Sequence, residues 1–389
     1  MPNRILRSTI TVWGLFLLLA VTAFAFCGGT PVMAATGHLP FIGIAGVVMI
    51  RNLFTREAII RYLQILGPAY PTVIMDTIFK DRPQQPGPLV GSDIVQQRIR
   101  AMALSKRGGP SISIVGSTGS TTFWEPLPIK PKVDVVGVDL NNLRLFLQGG
   151  PNSKELLDVW AQTKTDILRR TIRATTEAMC SAALKGQFSY PVAVEGGGYD
   201  TFTINYGNLQ SLPQGSYKML DDPTILMMDI LKMFVEIRKV FQRLGVGTSQ
   251  ILFWAGEDVF MRLFQLVSKV LTSTKLLTEA GVSLKAEDNY IMIGTIKVEL
   301  RAEEYTDPET GNFLPIIAPN TLKAICTDAG HRLPYAALDN LDANLEPMPL
   351  FIKPYRNPDG SGYTLFGESK PLPVVNTLGL LDVVLLTQD

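Results

Sequence analysis

The sequence is poorest in the residues that carry covalent and metal chemistry. Its 389 residues include only two histidines, His38 and His331, and three cysteines, Cys27, Cys180 and Cys326, which lie far apart and form no CxxC pair. A disulfide framework and a zinc site are therefore not indicated, and a buried, inert thiol is the expected state of each cysteine. There is no HExxH, no GxSxG, no GxxxxGK followed by Ser or Thr, and no GxGxxG between a strand and a helix. Zinc peptidase, serine hydrolase and nucleotide-binding chemistry each lack a necessary part. Charge of one sign is also missing. A formal net charge of +1 gives no basic field of the kind that drives nonspecific nucleic-acid binding by counterion release. No catalytic residue, cofactor or metal ligand is expected.

What remains are structural signals. With 46% hydrophobic and 18% charged residues, the chain can bury a large core in two or three lobes. The stretch from Asn152 to Gly186 reads as one long helix. It has no proline after Pro151, begins at a capping candidate (Asn152 with Glu155 three residues on, or Ser153), and ends at a glycine suited to the left-handed C-terminal position. At 1.5 Å per residue it would span roughly 50 Å, the length of a strut. Leu157, Trp160, Ile167, Leu168, Ile172 and Met179 fall near one face and are read as core-facing. Lys154, Lys164, Arg169, Arg170, Arg173 and Lys185 are interleaved with Glu155, Asp158, Asp166 and Glu177. These charges form either a solvated face or contacts to neighbouring subunits. Arg169, Arg170 and Arg173 are the candidates for such contacts.

Before Met49 the chain has a different character. Arg4 and Arg7 precede the uncharged apolar run Ile10 to Phe26, and Val32-Met33-Ala34-Ala35 follows. That is the layout of a signal peptide, in a run a little short for a membrane span. A fresh amphipathic segment, MIRNLFTREAIIRYLQIL, starts at Met49. Residues 1–48 thus read as an upstream extension or removed presequence, an export signal, or a retained hydrophobic arm.

After Met49, residues 50–66 look helical and Tyr70 to Phe79 extended. A proline-flanked excursion follows. It has a basic turn at Ser105 to Gly109, two strands (Ile112 to Val115 and Thr121 to Trp124) joined at Gly116 to Gly119, and a return through Pro126, Pro128 and Pro131. A two-stranded ribbon is marginal alone, so this arm needs another surface, with Phe123 and Trp124 as candidate contacts. Beyond the long helix, a hairpin is expected around Gly196 to Gly198, and a helix over 223–244 with Asp222 as cap and Pro223 in its first turn. A strand at Ile251 to Trp254, a helix over 256–271 and a strand pair turning at Gly294 complete a mixed lobe. The rest reads as strands: Leu314 to Ile317, Thr321 to Cys326, a proline-punctuated 345–375, and Leu380 to Leu386. Their expected partner is the sheet beside the long helix.

Several stretches in this order resemble the lambda-type major head protein E family of tailed-phage capsid proteins. STTFWEPLPIKPKVDVVGVDL is similar to the family's return from its extended loop, and RRTIRATTEAMCSAALKGQF to its long helix with a late glutamate and a Leu-x-Gly exit. DDPTILMMDI resembles its Asp-Pro helix start, and YTDPETGNFLPIIAPNTLKAI and FIKPYRNPDGSGYTLFGESKPLPVVN its later strands and close. The resemblance runs from about Met49 to Leu386; the hydrophobic leader departs from it. It implies an α+β fold of the Hong Kong 97 type. The N-terminal arm would be at 49–82, an extended E-loop at 83–135, a peripheral domain at 136–218 and 301–389 with its spine helix at 152–186, and an axial domain at 219–300. It further implies a non-enzymatic shell protein of the virion, assembled in the host cytoplasm. Its partners would be copies of itself in hexamers and pentamers, scaffold, portal and decoration proteins, and packaged double-stranded DNA as nonspecific cargo; a membrane is a partner only if the leader is real. The alternatives are an encapsulin-like compartment shell and an exported envelope or binding protein.

Overall fold

The strand Thr321–Cys326 is buried along its whole length, which in an alternating strand requires a core on each face. It sits in a six-stranded sheet that divides the subunit. From one edge to the other the strands run Leu380–Val384, Thr321–Cys326, Ile251–Ala255, Ile296–Leu300, Tyr290–Ile293 and Leu284–Glu287. All neighbours are antiparallel except Ile251–Ala255 and Ile296–Leu300, which are parallel. Phe253, Ala255, Leu322, Ala324, Leu381 and Val383 face a core built with two amphipathic helices, Met227–Arg243 and Glu257–Ser273. Trp254, Ile325 and Leu380 face the other core, which holds the end of the long helix. Described here, in a computed structural model, are residues 55–66, 72–96, 118–136, 139, 153–213, 215–247, 250–273, 284–287, 289–358 and 362–387. The leader at 1–48, the basic turn at 105–109, the strand expected at 112–115 and the capping residue at 152 lie outside them. Among the described residues no helix is long and apolar enough to cross a membrane.

The long helix spans Ser153–Ala183, and Gly186 takes the left-handed position (φ 80°) expected of it. Which face it buries differs from the reading of the sequence. Ala161, Thr165, Leu168, Ile172, Thr176 and Met179 are buried and fall on one stripe, whereas Ile167 is 45% exposed. Leu168 and Ile167 are neighbours in sequence and so about 100° apart around the axis. The stripe is held by small and threonine residues that composition alone does not mark as core; the Thr165 and Thr176 hydroxyls are satisfied by the carbonyls of Ala161 and Ile172. A three-stranded sheet, Phe351–Arg356, Gly362–Glu368 and Lys132–Val136, lies against this face. Gly367 sits at the closest approach, where a Cβ would come within 3.0 Å of Ile172 Cδ1.

The segment before the ribbon is fastened to the long helix at two places. The helix Arg56–Ile65, capped by the Thr55 hydroxyl, buries Tyr62, whose hydroxyl donates to Asp158 Oδ1 at 2.9 Å. Farther on, the expected extended run holds a single helical turn instead, Ile74–Thr77. The reason is tertiary. The buried Glu177 carboxylate accepts the backbone N–H groups of Val73, Ile74 and Met75 at 2.7, 2.6 and 2.9 Å, supplying from the long helix the anionic cap that the local sequence lacks.

Thr118–Trp124 pairs with Val90–Gln96, a run not read as a strand, and Gly119 lies inside the strand rather than in a turn. Asp222 and Pro223 form a turn ahead of their helix, with Asp222 accepting from Thr224; the helix itself starts at Met227, where Asp229 accepts the Leu226 N–H. The hairpin around Gly196 to Gly198 is found as Gln187–Ala193 with Tyr199–Asn205, its three glycines at φ 101°, 93° and 99°. The strand pair turning at Gly294 is likewise present. The strands near the chain end pair with the sheet of the mixed lobe as well as covering the long helix, so a boundary at residue 300 passes through that sheet.

Candidate functional site

Two surfaces carry the residues singled out in the sequence: the base of the ribbon and the charged side of the long helix. The ribbon strands are in register from Val90 opposite Trp124 to Gln96 opposite Thr118. Alternation sends adjacent side chains to opposite faces, and it divides the aromatic pair. Trp124 packs against the core of the long helix and meets Tyr206 edge-to-face, ring centroids 5.3 Å apart. Phe123 is 63% exposed. Trp124 thus anchors the ribbon to its own subunit, and Phe123 is the aromatic left facing outward.

The three arginines also separate. Arg170 is 59% exposed and pairs with Asp166 one turn back. Arg169 is only 14% exposed and shares that carboxylate at 3.7 Å. Arg173 donates to Thr72 Oγ1 at 2.7 Å and to Asp76 Oδ2 at 2.8 Å, where Arg82 reaches the other oxygen at 2.7 Å. Burial tends to raise the Asp76 carboxyl, but Thr72, Arg82 and Arg173 together hold it below its usual value. Arg82, Arg169 and Arg173 line one cleft with Met75, Tyr335 and Leu350. Arg173 therefore has a partner within its own chain, and the outward charge on this stretch of helix is Arg170.

The groups missed in the sequence are buried ionisable ones. Glu177 is held up by burial and pulled down by the three amides it accepts, with a net upward shift. Lys323 Nζ donates to the Leu184 carbonyl at 3.0 Å and to Asp382, and Lys370, fully buried, to Asp339 at 2.9 Å. His331 accepts the Asn376 N–H at Nδ1 and faces the Cys326 carbonyl through Nε2 at 3.1 Å. Burial pushes its pKa down to about 4, so the neutral ring is fixed as the Nε2–H tautomer. The only sequence signal for these groups was a charge inside an apolar run, such as Lys323 in TLKAIC. Each has a partner within the chain. Cys180 and Cys326 are buried free thiols, and among the described residues no group of three or more His, Cys, Asp or Glu side chains could hold a metal ion.

Residues 55–381 match the family described as phage major capsid protein E. No curated protein sequence matches the chain. Among solved structures, a prophage capsid protein from E. coli CFT073 superposes with a TM-score of 0.54 at 14% identity, covering 85% of this chain and 98% of that one. The capsid of cyanophage A-1(L) gives a TM-score of 0.43 at 11% identity, with 83% and 95% covered. A phage-related protein from Bordetella bronchiseptica RB50 gives 0.42 at 11% identity, with 85% and 96% covered. The first of these shares the fold.

Proposed function

The chain belongs to the phage major capsid protein E family, and from that membership we propose how its surfaces build a shell. The protein is the major capsid protein of a tailed phage or prophage: a structural component of the virion head, not an enzyme, with the mixed α+β fold of Hong Kong 97-like capsid proteins. On our reading the N-terminal arm is 49–82, the extended loop 83–135, the peripheral domain 136–218 with 301–389, and the axial domain 219–300. The six-stranded sheet supports one adjustment: Thr321–Cys326 and Leu380–Val384 contribute Leu322, Ala324, Leu381 and Val383 to the axial core and belong with it on that face. Copies associate head to tail into hexamers and pentamers, the extended loop of one lying over the next. Scaffold, portal and decoration proteins are the further partners, and double-stranded DNA is a nonspecific cargo that near-neutral charge neither grips nor repels.

The observation that carries this reading is Phe123. A large aromatic held outward on a ribbon whose base is locked by Trp124 is an apolar contact prepared for another surface. Arg170 is a second, weaker contact of the same kind. The test is Phe123→Asp in the full chain. The subunit should keep its melting transition, and sedimenting shells, seen by negative-stain microscopy for the wild type, should be lost. Shells at normal yield from this variant sink the assignment of the ribbon as the inter-subunit arm.

A further inference from the structure

The cleft beside the long helix gathers cationic groups from segments far apart in the chain. Arg169 and Arg173 lie one turn apart on the helix, Arg82 follows the turn Ile74–Thr77, and Tyr335 comes from near the chain end. The cleft has a volume of about 290 Å³ and apolar walls at Met75, Ile172 and Leu350, and no carboxylate among the described residues lines it. The carboxylates nearby hold the arginines without matching them. Asp76 gives one oxygen to Arg82 Nη2 at 2.7 Å and the other to Arg173 Nη2 at 2.8 Å, so two cations share one anion. Asp166 likewise serves both Arg169 and Arg170. Glu177 is taken up by three backbone amides. Four arginines therefore stand against three carboxylates, and the balance of charge favours a further anion.

Two donors at this cleft have no acceptor. Arg82 spends its Nε and Nη2 hydrogens on the Phe79 and Met75 carbonyls and on Asp76, while its Nη1 donates to nothing among the described residues. Tyr335 is only 5% exposed, and its hydroxyl has no hydrogen-bond partner among the described residues, although Arg82 and Arg173 both act on it. Burial pushes that hydroxyl up to about 12, so it stays a protonated donor at neutral pH. Buried donors are normally satisfied, and one that is not marks a place where the acceptor is brought by something else. A carboxylate presents its acceptors in one plane and is matched by a single guanidinium fork. Here the donors come from three separate segments, which suits an anion with oxygens in every direction. We propose that this cleft binds a tetrahedral oxyanion of the phosphate class, held between the guanidinium groups of Arg82, Arg169 and Arg173 and the Tyr335 hydroxyl. The bound anion ties residues 75–82 to the long helix and to the segment at 335–350, adding to the fastening that Glu177 and Asp76 provide. This chemistry has two sources, free inorganic phosphate and the phosphodiester backbone of packaged DNA.

The test is a calorimetric titration of the full, unassembled chain with inorganic phosphate, the ionic strength held constant with chloride. Phosphate at about a hundred times its Kd should raise the melting temperature by about 4 °C. Tyr335→Phe removes a hydroxyl that bonds to nothing in the chain, so it should melt like the wild type in chloride yet bind phosphate about tenfold more weakly. Arg169→Gln should weaken binding at least as much. A short DNA duplex at the same phosphate concentration separates the sources. Stabilisation by phosphate alone assigns the free anion, and stabilisation by the duplex, lost in both variants, assigns a backbone phosphate. Acetate should not compete. The site is overturned if neither ligand binds, if binding is unchanged in Tyr335→Phe and Arg169→Gln, or if acetate binds as tightly as phosphate. None of these readouts depends on assembly, so the shell reading stands or falls separately.

Discussion

Glu177 is the group on which the attachment of the N-terminal segment to the long helix turns, and replacing it tests that directly. Its side chain is buried, and its two oxygens accept three backbone N–H groups. In Glu177→Ala those donors lose their acceptor, and a buried donor left unmade costs about 1–3 kcal/mol. Part of this is offset because the buried carboxylate, whose pKa is raised mainly by desolvation, no longer has to be held away from water. The net loss should be about 3–5 kcal/mol, in the range found on breaking a buried charged contact. Glu177→Gln keeps Oε1 for Val73 and Ile74 but turns an amide N–H toward that of Met75, and should lose about 1–2 kcal/mol. The order is therefore wild type, Gln, Ala. On the unassembled chain, calorimetry should show the Ala variant melting about 4–7 °C lower. Hydrogen exchange should accelerate first at the amides of 73–75, before the rest of the core. The sign of the pH dependence follows from the raised pKa: protonation is favoured in the folded state, so this group's contribution is fullest below the unfolded carboxyl value and is lost as pH rises through the folded one. Unchanged melting and exchange in Glu177→Ala, or a Gln variant weaker than Ala, would refute the capping argument.

Three further outcomes are expected. Leu168→Asp places an unpaired charge at a site 1% exposed and should cost several kcal/mol and abolish soluble protein, whereas Ile167→Asp, at 45% exposure, should fold and melt within a few degrees of the wild type; the reverse order would mean that the helix is facing the other way. His331 has a depressed pKa of about 4 against 6.5 unfolded, so its share of stability is complete above pH 6.5 and falls by about 3 kcal/mol as pH drops to 4; a His331→Gln variant should show a flatter dependence over that window, and an identical profile would contradict it. Gly256→Ala would set a Cβ 2.2 Å from the Ala318 carbonyl oxygen and 2.7 Å from Pro319 Cα, and because both obstacles are backbone it should cost at least about 2 kcal/mol; a wild-type melting curve would show that the Ile251–Ala255 exit can move.

Much of this protein is legible in its sequence because the signals are local. The long helix ends at a glycine that takes the left-handed position, the hairpin at 187–205 turns on its glycines, and the strand pair at Gly294 follows from alternation over a few residues. The family was legible too, since motifs in order along the chain survive where overall identity does not. The sparse chemistry of the chain also pointed to structure rather than catalysis.

What tertiary structure alone decided are the choices between partners of equal local merit. Thr118–Trp124 could pair with either flanking run, and long-range contact gave it Val90–Gln96. Ile74–Thr77 carries no helix signal of its own; it turns because Glu177, a hundred residues away, accepts its free amides. Ile167 is as apolar as Leu168, and only the packing of Ile172 and Leu168 against the strand at Gly367 selects the buried stripe. Phe123 and Trp124 are adjacent aromatics whose roles differ because alternation puts one on Tyr206 and leaves the other outside. Periodicity determines which elements exist; which faces meet is set by the free energy of burying them together, and that is a property of the whole chain.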